Sequence, residues 1–109
     1  MRGIRLLILG IVLAAAGCSQ EKLPEQSLVI ENHVFTPTEI DVAAGQKFRL
    51  KVENRDDASE EFDSDSLGRE KVVAPKSSGY VVIGPLKAGR YPFQGEFHHE
   101  TAQGFVVAQ

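Results

Sequence analysis

The segment Lys47–Glu53, KFRLKVE, sets Phe48, Leu50 and Val52 on one side and Lys47, Arg49, Lys51 and Glu53 on the other. This period-two alternation marks a strand with one face in a core and one in water. Upstream, Ile40 and Val42 alternate with Glu39 and Asp41, and Ala43-Ala44-Gly45 reads as the turn into Phe48. Pro37, inside TPTE, has no N–H to give a ladder and belongs at an edge or a kink. Leu28-Val29-Ile30 opens a first strand running towards Val34 and Phe35. Downstream, Asn54–Glu61 (NRDDASEE) reads as a polar loop. The stretch DSDSLGREKVVAPKSSG reads as a loop, a short strand at Val72-Val73 and a turn at Pro75. Tyr80–Ile83, Tyr91–Phe93 and Phe105–Ala108 supply the remaining strands, with a turn over Pro85–Gly89. About seven short strands and no convincing helix predict an all-β Greek-key β-sandwich.

The ends of the 109-residue chain read differently. Arg2 and Arg5 precede an apolar run, Leu6–Ala16, shorter than the roughly 20 residues a membrane-spanning helix needs. Small residues then lead into the only cysteine, as in a secretory signal. Ala15-Ala16-Gly17-Cys18 resembles a lipobox, with Ala15 where leucine is commoner. The expected organisation is a lipoprotein-type signal peptide over 1–17, a polar tether over 18–27 and a β domain over 28–109. Acylation of Cys18 would anchor the domain to a bacterial membrane from the periplasmic side with no helix crossing it. The alternative is ordinary signal cleavage leaving a stray thiol. The net charge of −3 becomes −5 once Arg2 and Arg5 leave with the signal, which argues against nucleic acid as a partner.

The strand pattern carries a family resemblance. FTPTEIDVAAGQKFRLKVEN (35–54) resembles the opening half of a cupredoxin, and GPLKAGRYPFQGEFHHETAQGFVV (84–107) its closing half. In the blue-copper members a Cys, His and Met of the closing loop and a His of an earlier loop hold the metal. On that pattern Gly95 takes the cysteine position, His98 the histidine, and Ala102 lies near the methionine. Glu60 or Glu61 stands where the first histidine would be. A type 1 copper site is excluded, because copper–thiolate bonding defines it. A narrower resemblance is to the EfeO-type cupredoxin-like domain of periplasmic ferrous-iron uptake systems, which stands alone beside an Ftr-type iron permease or is fused to a larger protein. That resemblance implies acidic ligands and one histidine in place of sulfur, at positions matching Glu61, Asp63, Glu70, Glu96, His98 and Glu100.

The candidate metal ligands are therefore Glu61, Asp63, Glu96, His98 and Glu100, drawn together where loops meet at one end of the sandwich. Clustered carboxylates raise one another's pKa, and a cation relieves this. Carboxylate oxygens with one imidazole suit iron in either oxidation state, Mn(II) or Cu(II), not Cu(I). Anionic oxygen favours Fe(III), so the expected cofactor is an iron or copper ion. The expected role is assistance in ferrous-iron oxidation or delivery to a membrane iron permease.

The neighbours of these ligands have plainer readings. Glu70, between Arg69 and Lys71, reads equally as part of a solvated charged stretch. His99 should diverge from His98. His33, after Asn32, reads as a turn histidine in preference to a ligand. Tyr80, Tyr91 and Phe93 read as core or rim aromatics. The rival class is a metal-free envelope sandwich whose acidic loops dock a partner protein. A hydrolase lacks support, since HHE in a loop does not have the spacing of a helical zinc motif.

Overall fold

The structure, a computed structural model, describes residues 22–109. The expected signal peptide, Cys18 and the start of the tether lie outside the described residues. Nine strands follow in order: β1 (Glu25–Glu31), β2 (Val34–Thr36), β3 (Glu39–Val42), β4 (Phe48–Asn54), β5 (Glu60–Ser64), β6 (Arg69–Val73), β7 (Ser77–Ile83), β8 (Gly89–Gly95) and β9 (Gln103–Ala108). The only helical element among the described residues is a single 3-10 turn, Glu96–His98.

The strands form two packed sheets, one ordered β2-β1-β4-β7 and the other β3-β9-β8-β5-β6. β1 runs parallel to β4 and β3 parallel to β9, while the other pairs are antiparallel. Alternation explains the packing. Phe48, Leu50 and Val52 of β4 are buried as their spacing predicts, and Leu28 and Ile30 of β1 lie beside them. From the other sheet come Ile40, Phe62, Phe93 and Val106. Phe35, Phe62 and Phe93 make an aromatic cluster, with centroids 5.3 Å apart for Phe35–Phe93 and 5.1 Å for Phe62–Phe93. Such pairs stabilise by about 1 kcal/mol beyond their area.

Three details differ from the expectation of about seven strands. The first strand is a hairpin of β1 and β2, because Asn32 and His33 both adopt positive φ (55° and 60°) and turn the chain in two residues. β1 also begins at Glu25, inside the stretch read as tether. β5 occupies what looked like loop. Its sequence EEFDS has one apolar residue, yet four of its five positions are buried, and it sits between β6 and β8. Its polar groups find partners inside: Ser64 Oγ donates to the Pro92 carbonyl at 2.7 Å. Of the aromatics, Phe93 is core, Tyr91 is partly buried against it, and Tyr80 is exposed beneath the Arg49 guanidinium.

Candidate metal centre

β5 determines where each acid goes. Side chains alternate along a strand, so Glu60 shares the inward face of Phe62, while Glu61 and Asp63 share the outward face. Glu60 is 1% exposed. Two histidines meet it there. His33 Nδ1 lies 2.7 Å from Glu60 Oε2, and His98 Nδ1 lies 3.1 Å from Oε1. The imidazoles stack with centroids 3.5 Å apart and planes 17° from parallel. Each Nδ1 thus lies within hydrogen-bond distance of one of the two Glu60 oxygens.

Each histidine is held by its backbone. Asp56 accepts from the N–H groups of Asn32 (2.6 Å) and His33 (3.1 Å), fixing the left-handed turn that carries the His33 ring. The Thr101 hydroxyl donates to the His33 carbonyl. Asp56 itself is placed by Asn54, a fully buried residue. Its Oδ1 accepts from the Asp56 N–H at 2.8 Å, and its amide donates to the carbonyls of Ala58, Val73 and Ala74. His98 sits on the 3-10 turn, where its carbonyl accepts from the Ala102 N–H at 2.9 Å. Burial alone would push the Asp56 carboxyl up. Hydrogen bonds from the two turn N–H groups, with the nearby His33, outweigh this and hold it low. Asp56→Ala leaves both turn donors without their acceptor. We expect it to cost about 2 kcal/mol in denaturant unfolding and to weaken metal binding about tenfold by releasing His33.

The residues suit a metal ion. Metal bonds of about 2.0–2.2 Å to nitrogen and oxygen set neighbouring ligand atoms roughly 3 Å apart. One atom each of His33, Glu60 and His98 lies within 4.8 Å of the others, and the two close pairs fall near that value. Two imidazoles and one carboxylate form a borderline donor set suited to Fe(II) or Cu(II). A thiolate has no place: a Cβ at Gly95 would lie 2.8 Å from the Ala102 Cβ and 3.4 Å from the Glu61 carbonyl. Ala102, at the methionine position, is completely buried.

The single site expected from the sequence is therefore two groups. Of Glu61, Asp63, Glu96, His98 and Glu100, only His98 joins the inward centre. Glu61 and Asp63 point the other way and meet Glu70 instead. Glu96 lies on that outward side, accepting from Gln94 Nε2 at 2.9 Å. Glu100 and His99 are exposed and belong to neither group. Strand parity is the physical reason for the split. Glu60 and His33, which the sequence reading left outside the ligand set, complete the inward group. Phe62 held the signal for Glu60, since a core phenylalanine carries the residue two before it to the same face. Asn32-His33 signalled the turn, but not what the His33 ring would meet.

The outward group is strained electrostatically. Burial, then the charges of Glu70, Asp63 and Glu96, push the Glu61 carboxyl above its usual range. Burial, then Glu96, Asp65 and Glu70, raise Asp63 against an opposing hydrogen bond from Gln94. Raised carboxyls bind protons in the folded state that the unfolded chain has already lost. Stability contributed this way is present at low pH and is lost as pH climbs from the ordinary carboxylate range through the raised values. Asp56 has the opposite sign, its contribution disappearing as pH falls. In chelator, Glu61→Gln/Asp63→Asn should melt above the unsubstituted protein at pH 7 by about 5 °C, for roughly 1 kcal/mol, and the gap should close towards pH 4.

Comparison with known proteins places this architecture. The sequence matches the cupredoxin-like domain family over residues 4–108. It is 40% identical over 89 residues to the uncharacterized protein RP394 of Rickettsia prowazekii (strain Madrid E), covering 82% of this chain and 71% of that protein. The metal-binding domain of the Cu(I)-exporting P-type ATPase CopA of Streptococcus pneumoniae D39, solved with Cu(I), superposes with a TM-score of 0.71. Identity there is 14%, with coverage of 84% of this chain and 91% of that one. Auracyanin A, a blue copper protein of Chloroflexus aurantiacus, gives 0.66 at 15% identity, covering 78% and 98%. Amicyanin of Paracoccus versutus gives 0.59 at 16%, covering 87% and 89%. At these identities the structural likeness is one of fold. The family match and the two-sheet architecture agree, and the chain belongs to the cupredoxin-like domain family.

Proposed function

We propose that this protein is an EfeO-type, stand-alone cupredoxin-like metal carrier that takes Fe(II), or Cu(II), at His33, Glu60 and His98. The observation that carries this reading is the buried Glu60 carboxylate reached by two imidazoles at 2.7 and 3.1 Å. The ligand chemistry supports iron, because two histidines and one carboxylate with open positions form a set typical of non-haem Fe(II). When bound, the ion would supply a redox-active centre whose ferric form is favoured by the anionic Glu60 oxygens. The chain's own residues do the rest. Glu60 orients both rings, and Asp56 and Thr101 fix the His33 turn.

The leader expected from the sequence supports a place for it in the cell. Export with acylation at Cys18 puts the domain in the periplasm, tethered to the membrane beside an iron permease. There it assists ferrous-iron oxidation, with the electron passing to an outside acceptor, or hands the ion on. Phe97, half exposed and adjacent to His98 in the sequence, offers an apolar contact for that hand-over.

Anaerobic Fe(II) titration of the purified protein tests this reading. The expected result is one Fe(II) per chain, lost in His98→Ala. Tight Cu(II) binding with no Fe(II) binding would contradict the iron assignment.

A further inference from the structure

We propose that the end of the sandwich opposite the histidine centre is a docking face for an anionic lipid surface, with lysines set around a shallow apolar groove. The inference rests on the reading of Cys18 as an anchored residue and adds to it the orientation of the domain. Strand direction defines the two ends. β1 and β4 run parallel and both start at this base, at Glu25 and Phe48. β3, β7 and β9 finish there, at Val42, Ile83 and Ala108. His33 follows the far end of β1, seven residues and roughly 23 Å of strand away.

Two turns and the entering chain make the base. The Gly45 N–H donates to the Leu86 carbonyl at 2.8 Å, which joins the turn after β3 to the turn after β7. The Arg49 N–H donates to the Pro24 carbonyl at 2.9 Å, which sets the entering chain beside β4. Pro24, Val42, Ala43 and Phe48 give the groove its apolar walls.

Charge complementarity identifies the occupant. Lys22 lies on the entering chain, Lys47 on the first turn and Lys87 on the second. The ion pairs among the described residues use other cations. Glu25 is paired with Arg49 at 2.9 Å, which leaves Asp41 as the acidic side chain of the groove. The opposite end has the reverse balance, with Asp56, Asp57, Glu60, Glu96 and Glu100 against Arg55 and Lys76. A chain of net charge −3 thus carries unpaired lysines on the end from which it leads back to Cys18.

The length of that lead fixes the distance. Six residues separate Cys18 from Pro24, a reach of at most about 20 Å. An anchor at Cys18 keeps the base within that distance of the headgroups. Each lysine close to an anionic surface multiplies occupancy about fivefold, so the three together give about 100-fold. That is too little to hold a free domain and enough to orient a tethered one, because the tether sets the effective concentration. Docked on its base, the domain points His33 and His98 away from lipid, and the ion is exchanged at the outer end.

Hydrogen exchange read by mass spectrometry, with the protein anchored on vesicles, tests the proposal. Where the isolated protein carries a free Cys18, coupling this sole cysteine to a maleimide phospholipid supplies the anchor, so the result does not depend on acylation in the cell. On vesicles of phosphatidylglycerol and phosphatidylcholine, exchange over 43–47 and 84–88 should slow about tenfold relative to phosphatidylcholine alone. Exchange over 96–101 should be the same on both. High salt should remove the slowing. Lys47→Gln/Lys87→Gln should lower docking about 25-fold and leave Fe(II) binding and the melting temperature unchanged. Equal exchange on the two vesicle types, or undiminished protection in the folded double variant, would overturn the proposal. The same slowing in concentrated protein without vesicles would assign the face to a second copy of the chain and overturn it as well. Failure of the anchor reading would appear separately, as a free Cys18 thiol in protein isolated from cells.

Discussion

Glu60→Gln should weaken Fe(II) or Cu(II) binding at the histidine centre by about 100-fold or more, as read by calorimetric titration. Glutamine has the same shape, so packing above Phe62 is retained. What disappears is an anionic ligand set between two imidazoles. Even partners that only orient a metal ligand change affinity by about 10–100-fold, and a direct ligand should reach at least the upper end. Glu61→Gln, one residue along the strand, faces outward and should leave this affinity unchanged. Binding should also weaken as pH falls, because protons compete with the metal for its ligands. If Glu61→Gln and Glu60→Gln had equal effects, the division of β5 into two faces would be wrong.

The second large effect concerns the scaffold. Gly104→Ala should destabilise the domain by about 3 kcal/mol in denaturant unfolding. A Cβ there would lie 2.5 and 2.7 Å from the Phe93 ring and 2.8 Å from the Thr38 carbonyl. That carbonyl accepts from the Phe105 N–H at 2.8 Å, so it cannot retreat without loosening β9 from its neighbour. Phe93 cannot retreat either, because it packs against both Phe35 and Phe62. A loss under 1 kcal/mol would show that the Phe93 ring has room the structure does not display.

The sandwich was legible wherever apolar residues alternate without interruption. Phe48–Val52 needed nothing but periodicity, and Phe105–Ala108 little more. β5 was hidden because its inward face is Glu60, Phe62 and Ser64, two of which are polar and gain partners only from distant strands. Reading EEFDS as loop left its parity undefined. With no parity, Glu61 and Glu60 were interchangeable, and the resemblance to acidic-ligand relatives gathered all the acids into one site. His33 was correctly placed in a turn, but its approach to Glu60 depends on contacts between residues 27 positions apart. No local pattern encodes such a contact. His98 was readable because its loop, between two strands near the C-terminus, fixes its end of the sandwich.

The most direct test of the inward centre is pulsed electron paramagnetic resonance of the Cu(II)-loaded protein. The account predicts coupling to two imidazoles, reduced to one in His33→Ala and in His98→Ala and unaltered in Glu61→Gln. Coupling to a single imidazole in the unsubstituted protein, or loss of the signal in Glu61→Gln, would contradict it.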